Sequence, residues 1–362
     1  MKPFTPHTLP IKDLKRDKFI HLIGEANRAL ARFDWLIQSI PNAAILLSPL
    51  TTKEATLSSK IEGTQATLQE VMEFEANLKE PTTEKERDIQ EILNYRKAMQ
   101  YAIKEIPDKL LTNKLIKEVH NILLDSVRWA NKDRWNFRTW QVHIGSSRNI
   151  EEASYIPPEP QNIVEYMSNL EKYIHYNEKD ILVQLAIVHA QFEIIHPFWD
   201  WNGRVGRIIL PLFLWYKKAL RDPMFYISEY LENHRESYYE SLSKISKNND
   251  RESRIAYFLT AVKEQSENNI ERLKKILNLY ETKKVKIREL THSQFSINAL
   301  DFIFSYPIFS TTNFIKRSKI PKQTATIILR KLMKGQVIKM IRKWSGKRPS
   351  LYIFSKLIDI TG

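Results

Sequence analysis

A run of twelve residues near the middle of the chain carries the side chains best suited to chemistry. Residues 196–207 read HPFWDWNGRVGR. His196 is the residue type that acts as a general base near neutral pH, and Asp200 is the kind of carboxylate that holds Mg²⁺ against phosphate oxygens. Arg204 and Arg207 share one face of a helical turn, and their guanidinium groups suit phosphate geometry. Together these types predict a site for phosphoryl or nucleotidyl transfer.

The elements on either side of this run predict an anion site. Residues 181–195 are apolar enough for a buried helix that Pro197 ends, and a second helix begins near Asn202 or Gly203. The loop between them therefore lies at a helix N-terminus, where unpaired backbone N–H groups and the helix dipole attract anions. Gly203 lets the backbone approach an oxyanion closely. Each residue alone is more often structural than catalytic, so the prediction depends on the joint pattern.

The twelve residues resemble the signature of the Fic (filamentation induced by cAMP) family, H-x-F-x-[DE]-G-N-G-R-x-x-R. The preceding residues HAQFEIIHPF are also similar to family sequence, and the resemblance covers about residues 37–242. It implies transfer of AMP from ATP with Mg²⁺ to a Ser, Thr or Tyr hydroxyl of a target protein, while transfer of another group stays open. His196 becomes the base for that hydroxyl and Asp200 the Mg²⁺ ligand. The implied ATP-binding residues of the run are Trp201, Asn202, Gly203, Arg204, Val205, Gly206 and Arg207.

One position departs from the family pattern, because Trp201 stands where the family has glycine. Glycine adopts backbone angles that are costly for other residues. The tryptophan ring either points outward harmlessly or crowds the phosphates. The second alternative would leave a domain that only senses nucleotide or is inactive.

A second resemblance lies upstream, in the sequence LSSKIEG. It is similar to the family's inhibitory motif, [ST]-x-x-x-E-[GN], with Ser58, Glu62 and Gly63 at the defined positions. Ser58 and Glu62 are four residues apart and share a helix face. The resemblance implies an inhibitory helix over about residues 53–63, whose Glu62 pairs with Arg207 and displaces the γ-phosphate. A surface glutamate before a helix-ending glycine is the alternative, and a role in removing AMP also stays open.

Residues 137–158 are similar to the family's flap and are predicted to form a β-hairpin, with an irregular surface loop as the alternative. An exposed strand edge would pair with an extended target segment and place its hydroxyl beside His196. The residues of this target-docking flap are Val142, His143, Ile144 and Gly145.

The stretch YLENHRESYYESL also resembles family sequence. Its candidate contacts to adenine and ribose are Asn233, Tyr238 and Tyr239. Tyrosines at the edge of the core are an equally common explanation for the last two.

The positive charge of the chain is concentrated at one end. The net charge is +14, and residues 285–362 hold 15 Lys and Arg against 3 acidic residues. This asymmetry indicates a polyanionic partner for that end alone. Three helices followed by a basic hairpin predict a winged helix-turn-helix, which binds DNA or, alternatively, protein, including a second copy of the chain in a homodimer. Candidate DNA contacts are Lys322, Gln323, Lys343, Lys347 and Arg348.

The predicted fold is mainly α: a Fic helical core with a β-hairpin flap and a C-terminal winged helix. The expected segments are an N-terminal helical region (1–109), the core (110–242), a connector (243–284) and the winged helix (285–362). The chain has no cysteine, which excludes disulfides and cysteine nucleophiles and fits a cytoplasmic location. No apolar window is long enough to span a membrane. The two functional hypotheses are a protein adenylyltransferase restrained by Glu62 and a DNA-binding regulator.

Overall fold

The computed structural model describes residues 2–40, 42–77, 83–125, 135–145, 149–346 and 349–362. Within these ranges the chain is mostly helical and contains three short strands, which confirms the mainly α fold class. Among the described residues, no helix combines the length and apolar character needed to cross a bilayer. The helices are α1 Ile20–Gln38, α2 Ala43–Leu46, α3 Ser48–Ile61, α4 Leu68–Asn77, α5 Glu84–Lys109, α6 Asn113–Leu123, α7 Ile163–His175, α8 Ile181–Ile195, α9 Asn202–Tyr216, α10 Ser228–Asn233, α11 Arg235–Asn248, α12 Arg251–Thr291, α13 Ser296–Ser305, α14 Thr311–Arg317, α15 Lys322–Lys334 and α16 Ser355–Thr361. The strands are β1 Ile308–Ser310, β2 Lys339–Arg342 and β3 Leu351–Ile353.

The chain divides into two compact units, and each unit is assembled from segments that are distant in sequence. The first unit contains the described residues of 1–35, 57–63 and 94–267. The second contains those of 36–56, 64–93 and 268–362. The four consecutive segments expected from the sequence remain a prediction, because these units are defined by contacts and are discontinuous along the chain.

Helix α8 is the central element of the first unit. Its N-terminus is capped by Asp180, whose side chain accepts the Val183 N–H at 2.9 Å. The helix is apolar on every face, and nearly all of its residues are buried, as expected for a helix enclosed by others. It packs against α7 and α9. The bounds of α8 agree with those of the predicted buried helix. His196 directly follows its C-terminus, so α8 positions this residue.

A buried arginine ties three helices of the first unit together. Arg254 of α12 is 1% exposed. It donates to Ser241 Oγ of α11 at 2.8 Å and to His189 Nδ1 of α8 at 2.9 Å. Because arginine only donates, His189 must accept at Nδ1 and carry its proton on Nε2.

The second unit contains a three-stranded antiparallel sheet with the order β1-β3-β2. Ile308 pairs with Ile353, and Met340 pairs with Tyr352. The element order α13-β1-α14-α15-β2-β3 contains the predicted three helices and hairpin. Strand β1 was not predicted, because a strand of three residues is too short to show alternation. Helix α12 continues to Thr291 and so passes the boundary predicted at residue 285, since lysine-rich sequence favours helix.

Replacing Arg254 with alanine should reduce the free energy of unfolding by about 2–4 kcal/mol, because His189 and Ser241 lose a charged, buried donor. Ser241→Ala is the matched control and should lose only about 1 kcal/mol, since Arg254 keeps its bond to His189. Urea unfolding measures both. Equal small losses in the two variants would show that Arg254 does not stabilise this unit.

Candidate active site

His196 forms the C-terminal cap of α8 with left-handed backbone angles (φ 50°, ψ 61°). Its N–H donates to the Phe192 carbonyl at 3.0 Å, and its own carbonyl accepts from Arg138 Nε at 2.9 Å. Burial lowers the pKa of the imidazole to about 4, and the positive charge of Arg138 acts in the same direction. The ring is therefore neutral near pH 7 and can accept a proton, as a general base must.

The loop after His196 is held by the side chain of Asn202. Its amide oxygen accepts the Phe198 N–H and its amide nitrogen donates to the Phe198 carbonyl, both at 2.8 Å. His120 of α6 stacks on the Phe198 ring at 3.8 Å and lies 3.2 Å from the Asp200 carbonyl oxygen. The side chain of Asn202 is thus engaged in closing the loop, so its predicted contact with phosphate rests on its backbone N–H.

Asp200 is exposed near the end of this loop, and its Oδ1 accepts the Trp201 N–H at 2.7 Å. In the part of the chain that the structure describes, no group of three or more His, Cys, Asp or Glu side chains could hold a metal. A single carboxylate beside a helix N-terminus fits Mg²⁺, which prefers one or two carboxylates together with phosphate oxygens and water. Asp200 is the residue that would hold it.

Trp201 adopts the backbone conformation for which glycine is favoured. Its φ is 69° and its ψ is 10°, a left-handed conformation that costs a residue with a Cβ about 1–2 kcal/mol. The ring is only 5% exposed and stacks on the Arg204 guanidinium, 3.7 Å from the ring centroid. A desolvated cation–π contact contributes up to about 2 kcal/mol, which is enough to offset the backbone cost. The alternative in which the ring points outward is wrong, because the ring packs on Arg204.

Arg207 is paired with the end of α3. Its Nε donates to Ser58 Oγ at 2.8 Å, and its Nη2 donates to the Ser58 carbonyl at 2.8 Å and to Glu62 Oε1 at 2.6 Å. The arginine side chain is 1% exposed, whereas that of Glu62 is 34% exposed. Gly63 has a φ of 100° and ends the helical turn that presents both partners. We call the contacts of Ser58 and Glu62 with Arg207 the Glu62 latch.

Two glycines of α9 make room for two carboxylates. A Cβ at Gly203 would collide with Glu62 Oε1 and lie 2.9 Å from Arg207 Nη1, while a Cβ at Gly206 would collide with Glu193 Oε1. The carboxylate of Glu62 therefore occupies the first turn of α9, where the sequence predicts phosphate. No signal in the spacing identified Glu193, which lies within the apolar run of α8.

The electrostatics of the two carboxylates differ. Burial acts to raise the pKa of Glu62, but Arg207, assisted by Arg204 and His196, outweighs it and holds the pKa below its usual value. Burial raises the pKa of Glu193 to about 7, and the charge of Glu62 adds to this rise. Glu62 is thus the ionised partner of the arginines.

Among the described residues of the flap, one antiparallel bridge, between Ile144 and Tyr155, stands in place of a longer ladder. The reason is that side chains take the neighbouring carbonyls. Arg138 donates to those of Trp140 at 3.0 Å and Pro158 at 2.6 Å, and Gln141 donates to that of Pro157 at 2.9 Å. Arg138, which sequence reasoning missed, joins the flap to the loop that carries His196. Ile144 and Gly145 are exposed, Val142 and His143 are half-buried, and residues 146–148 lie outside the described residues.

The candidate adenosine contacts fall in different environments. Tyr238 is 1% exposed, and its ring lies 5.1 Å from the Arg254 guanidinium, which places it in the core. Tyr239 and Asn233 are exposed. Contact with adenine or ribose remains a prediction for all three, and the core alternative describes Tyr238 better.

The candidate DNA contacts lie in the second unit. Lys322 and Gln323 are exposed on the first turn of α15, and Lys343 is exposed after β2. Lys347 and Arg348 lie outside the described residues.

The chain is similar to known proteins over its N-terminal and central parts. Residues 20–104 match the model of the Fic/DOC family N-terminal region, and residues 110–214 match that of the Fic/DOC family. A probable protein adenylyltransferase of Aquifex aeolicus is 29% identical over 172 residues, 46% of this chain and 49% of that protein. Protein adenylyltransferase Fic of Drosophila grimshawi is 30% identical over 128 residues, 34% of this chain and 24% of that protein. The chain thus spans about half or less of the length of these relatives.

A solved structure shows the same fold over nearly the whole chain. It is the crystal structure of a Fic family protein from Desulfovibrio desulfuricans G20. The TM-score is 0.61, and the match covers 96% of this chain and 98% of that chain at 17% identity.

Glu62→Gln should lower the melting temperature at pH 7, because the amide cannot replace the charge that pairs with Arg207. The pKa of Glu62 is depressed in the folded state, so its stabilisation is present above the ordinary value of about 4.5 and is lost as the pH falls through the folded pKa. The difference in melting temperature between the variant and its parent should therefore shrink in acid.

Glu240→Gln is the matched control, because Glu240 pairs with Lys244 at 3.0 Å on an exposed helix face and should contribute little. Indistinguishable melting of the two variants at every pH would contradict a stabilising latch.

Proposed function

The chain belongs to the Fic/DOC family, and we propose that it is a protein adenylyltransferase that moves AMP from ATP to a Ser, Thr or Tyr hydroxyl of a target protein. The observation that carries the proposal is the paired, buried Arg207 in the second turn of α9, the helix that follows the loop begun by a neutral His196. A helix N-terminus with two arginines binds polyphosphate, and a neutral imidazole next to it can activate a hydroxyl.

The chemistry follows from these positions. His196 removes the proton from the target hydroxyl as its oxygen attacks the α-phosphorus. A bond forms between that oxygen and phosphorus, the bond to the β-phosphate oxygen breaks, and pyrophosphate leaves with the electron pair. Arg204 and Arg207 stabilise the phosphates through charge-assisted hydrogen bonds. Mg²⁺, held by Asp200, would neutralise charge that develops on the leaving group.

We further propose that the Glu62 latch inhibits this reaction. The Glu62 carboxylate pairs with Arg207 through a 2.6 Å hydrogen bond, and the resemblance assigns that arginine to the γ-phosphate. The Glu62 carboxylate lies against Gly203, where a Cβ would collide with it, so it takes space and charge pairing that the γ-phosphate would need. ATP would therefore bind productively only after Glu62 withdraws.

A second candidate function is DNA binding by the second unit, as a winged helix. The exposed face of α15 supports it, because that face carries Lys322, Gln323, Thr326 and Arg330 in the helix that would enter a groove. The net charge of residues 285–362 supports phosphate contacts. Binding to protein, including a homodimer, is the alternative outcome.

We propose a cytoplasmic location from the absence of cysteine.

Glu62→Gly should release the proposed activity. With ATP labelled on the α-phosphate, this variant should label itself or a lysate protein at least about tenfold faster than the parent, since one lost charged hydrogen bond is worth at least about 1.4 kcal/mol. The double variant Glu62→Gly/His196→Ala is the control, because it keeps the open anion site and lacks the base. Absence of label with Glu62→Gly would contradict the transferase proposal.

DNA binding should depend steeply on salt. The affinity for a short mixed-sequence duplex should decrease as salt increases. The magnitude of the slope of log affinity against log salt should become smaller by about one for each phosphate contact removed. Lys322→Ala/Arg330→Ala should reduce this slope, whereas Lys97→Ala/Lys104→Ala, which removes the same charge from exposed positions of α5, should not. An equal effect of both pairs would assign the binding to overall charge, and absence of binding would favour a protein partner.

A further inference from the structure

Trp201 connects the backbone of the catalytic loop with one of its arginines. Its N–H is held by Asp200 Oδ1 at 2.7 Å, and its ring stacks on Arg204 at 3.7 Å. Both Trp201 and Arg204 are buried, at 5% and 6% exposure. The largest side chain thus replaces the family's smallest one without loss of the left-handed turn (φ 69°) that begins α9.

The contact with the Trp201 ring restricts the position of the Arg204 guanidinium. An arginine side chain is flexible, and immobilising it on binding reduces affinity. A guanidinium that is stacked face-on against an aromatic ring keeps its N–H donors in its own plane, where they can reach an anion at the edge. The charge of Arg204 already acts on the anion at this site, since it contributes to the lowered pKa of Glu62.

We propose that Trp201 is a positioning residue for Arg204: its buried ring holds the guanidinium in place for the phosphates of a nucleotide. This inference rests on the proposed nucleotide site. It assigns to Trp201 a role opposite to that of an obstacle, because a ring that packs against Arg204 organises the anion site before the anion arrives.

The test distinguishes the effect of the Trp201 ring on nucleotide binding from the effect of its left-handed backbone conformation. All variants carry Glu62→Gly and His196→Ala, so that the latch is open and no turnover occurs, and calorimetry measures binding of Mg²⁺ and ATP. Trp201→Phe keeps a ring at the left-handed position, Trp201→Ala removes the ring and keeps the backbone strain, and Trp201→Gly removes both. We expect Trp201→Phe to bind within about threefold of its parent, whereas the alanine and glycine variants bind about 3- to 30-fold more weakly.

Arg204→Lys keeps the charge and loses the planar stack, so it should weaken binding to a similar extent. Combined with Trp201→Ala, it should add little further loss, because both changes remove one interaction. Tighter binding by Trp201→Gly than by its parent would overturn the proposal in favour of crowding. So would equal losses in the phenylalanine and alanine variants, or fully additive losses in the double variant.

A readout without nucleotide tests the stack independently. Arg204→Lys should change the tryptophan emission of the protein, and the same substitution in the Trp201→Phe background should not, although seven other tryptophans are present. If this emission difference is found while no variant binds ATP, the stack exists and the nucleotide proposal fails. Absence of this emission difference overturns the positioning role even if ATP binds. The emission measurement does not use the Trp201→Ala variant, so it remains possible should that variant fail to fold.

Discussion

The positive charge of Arg207 is almost entirely removed from water, and the site depends on pairing it. A buried charge without a partner is strongly unfavourable, so this arginine requires an anion and acceptor oxygens within hydrogen-bond distance. Ser58 and Glu62 provide them here, and a phosphate could provide the same acceptors. The Glu62 carboxylate lies against Gly203, where a Cβ would collide with it. The proposed inhibition and the proposed nucleotide binding would both meet this requirement of Arg207, which is the physical basis for treating them as alternatives.

A second constraint is the tight reversal of the chain between α8 and α9. It uses left-handed backbone angles at both His196 and Trp201, which side chains with a Cβ adopt at a cost. Several hydrogen bonds stabilise this turn. The Asn202 side chain bonds to the Phe198 N–H and carbonyl, and Arg138 donates to the carbonyl of His196. The strain therefore lies at the residues to which the chemistry is assigned, where rigid placement is required.

The spacing of residues predicted the local features of this site and missed those that depend on packing, and the Glu62–Arg207 contact was expected only from the family resemblance. It placed the helix that ends before His196 and the start of the next helix near Asn202 or Gly203, because periodicity, caps and helix-breaking residues act over a few positions. It did not identify Arg138, whose role is to satisfy carbonyls from two loops. For residues 137–158 it left a β-hairpin and an irregular loop as alternatives, and among the described residues of the flap a single bridge exists at Ile144, because spacing cannot show which carbonyls accept from side chains.

The sequence by itself thus determined which side chains lie close together along the chain: a histidine, an aspartate and an arginine pair within twelve residues, and a glutamate four positions after a serine. The pairing of Glu62 with Arg207, 145 positions away, was implied by the family resemblance and not by spacing, and only the tertiary structure decided that the Trp201 ring packs on Arg204 instead of entering solvent. The physical reason is that spacing fixes which residues share a helical turn. Which turns meet, and which charges are desolvated together, is fixed by the packing of whole helices.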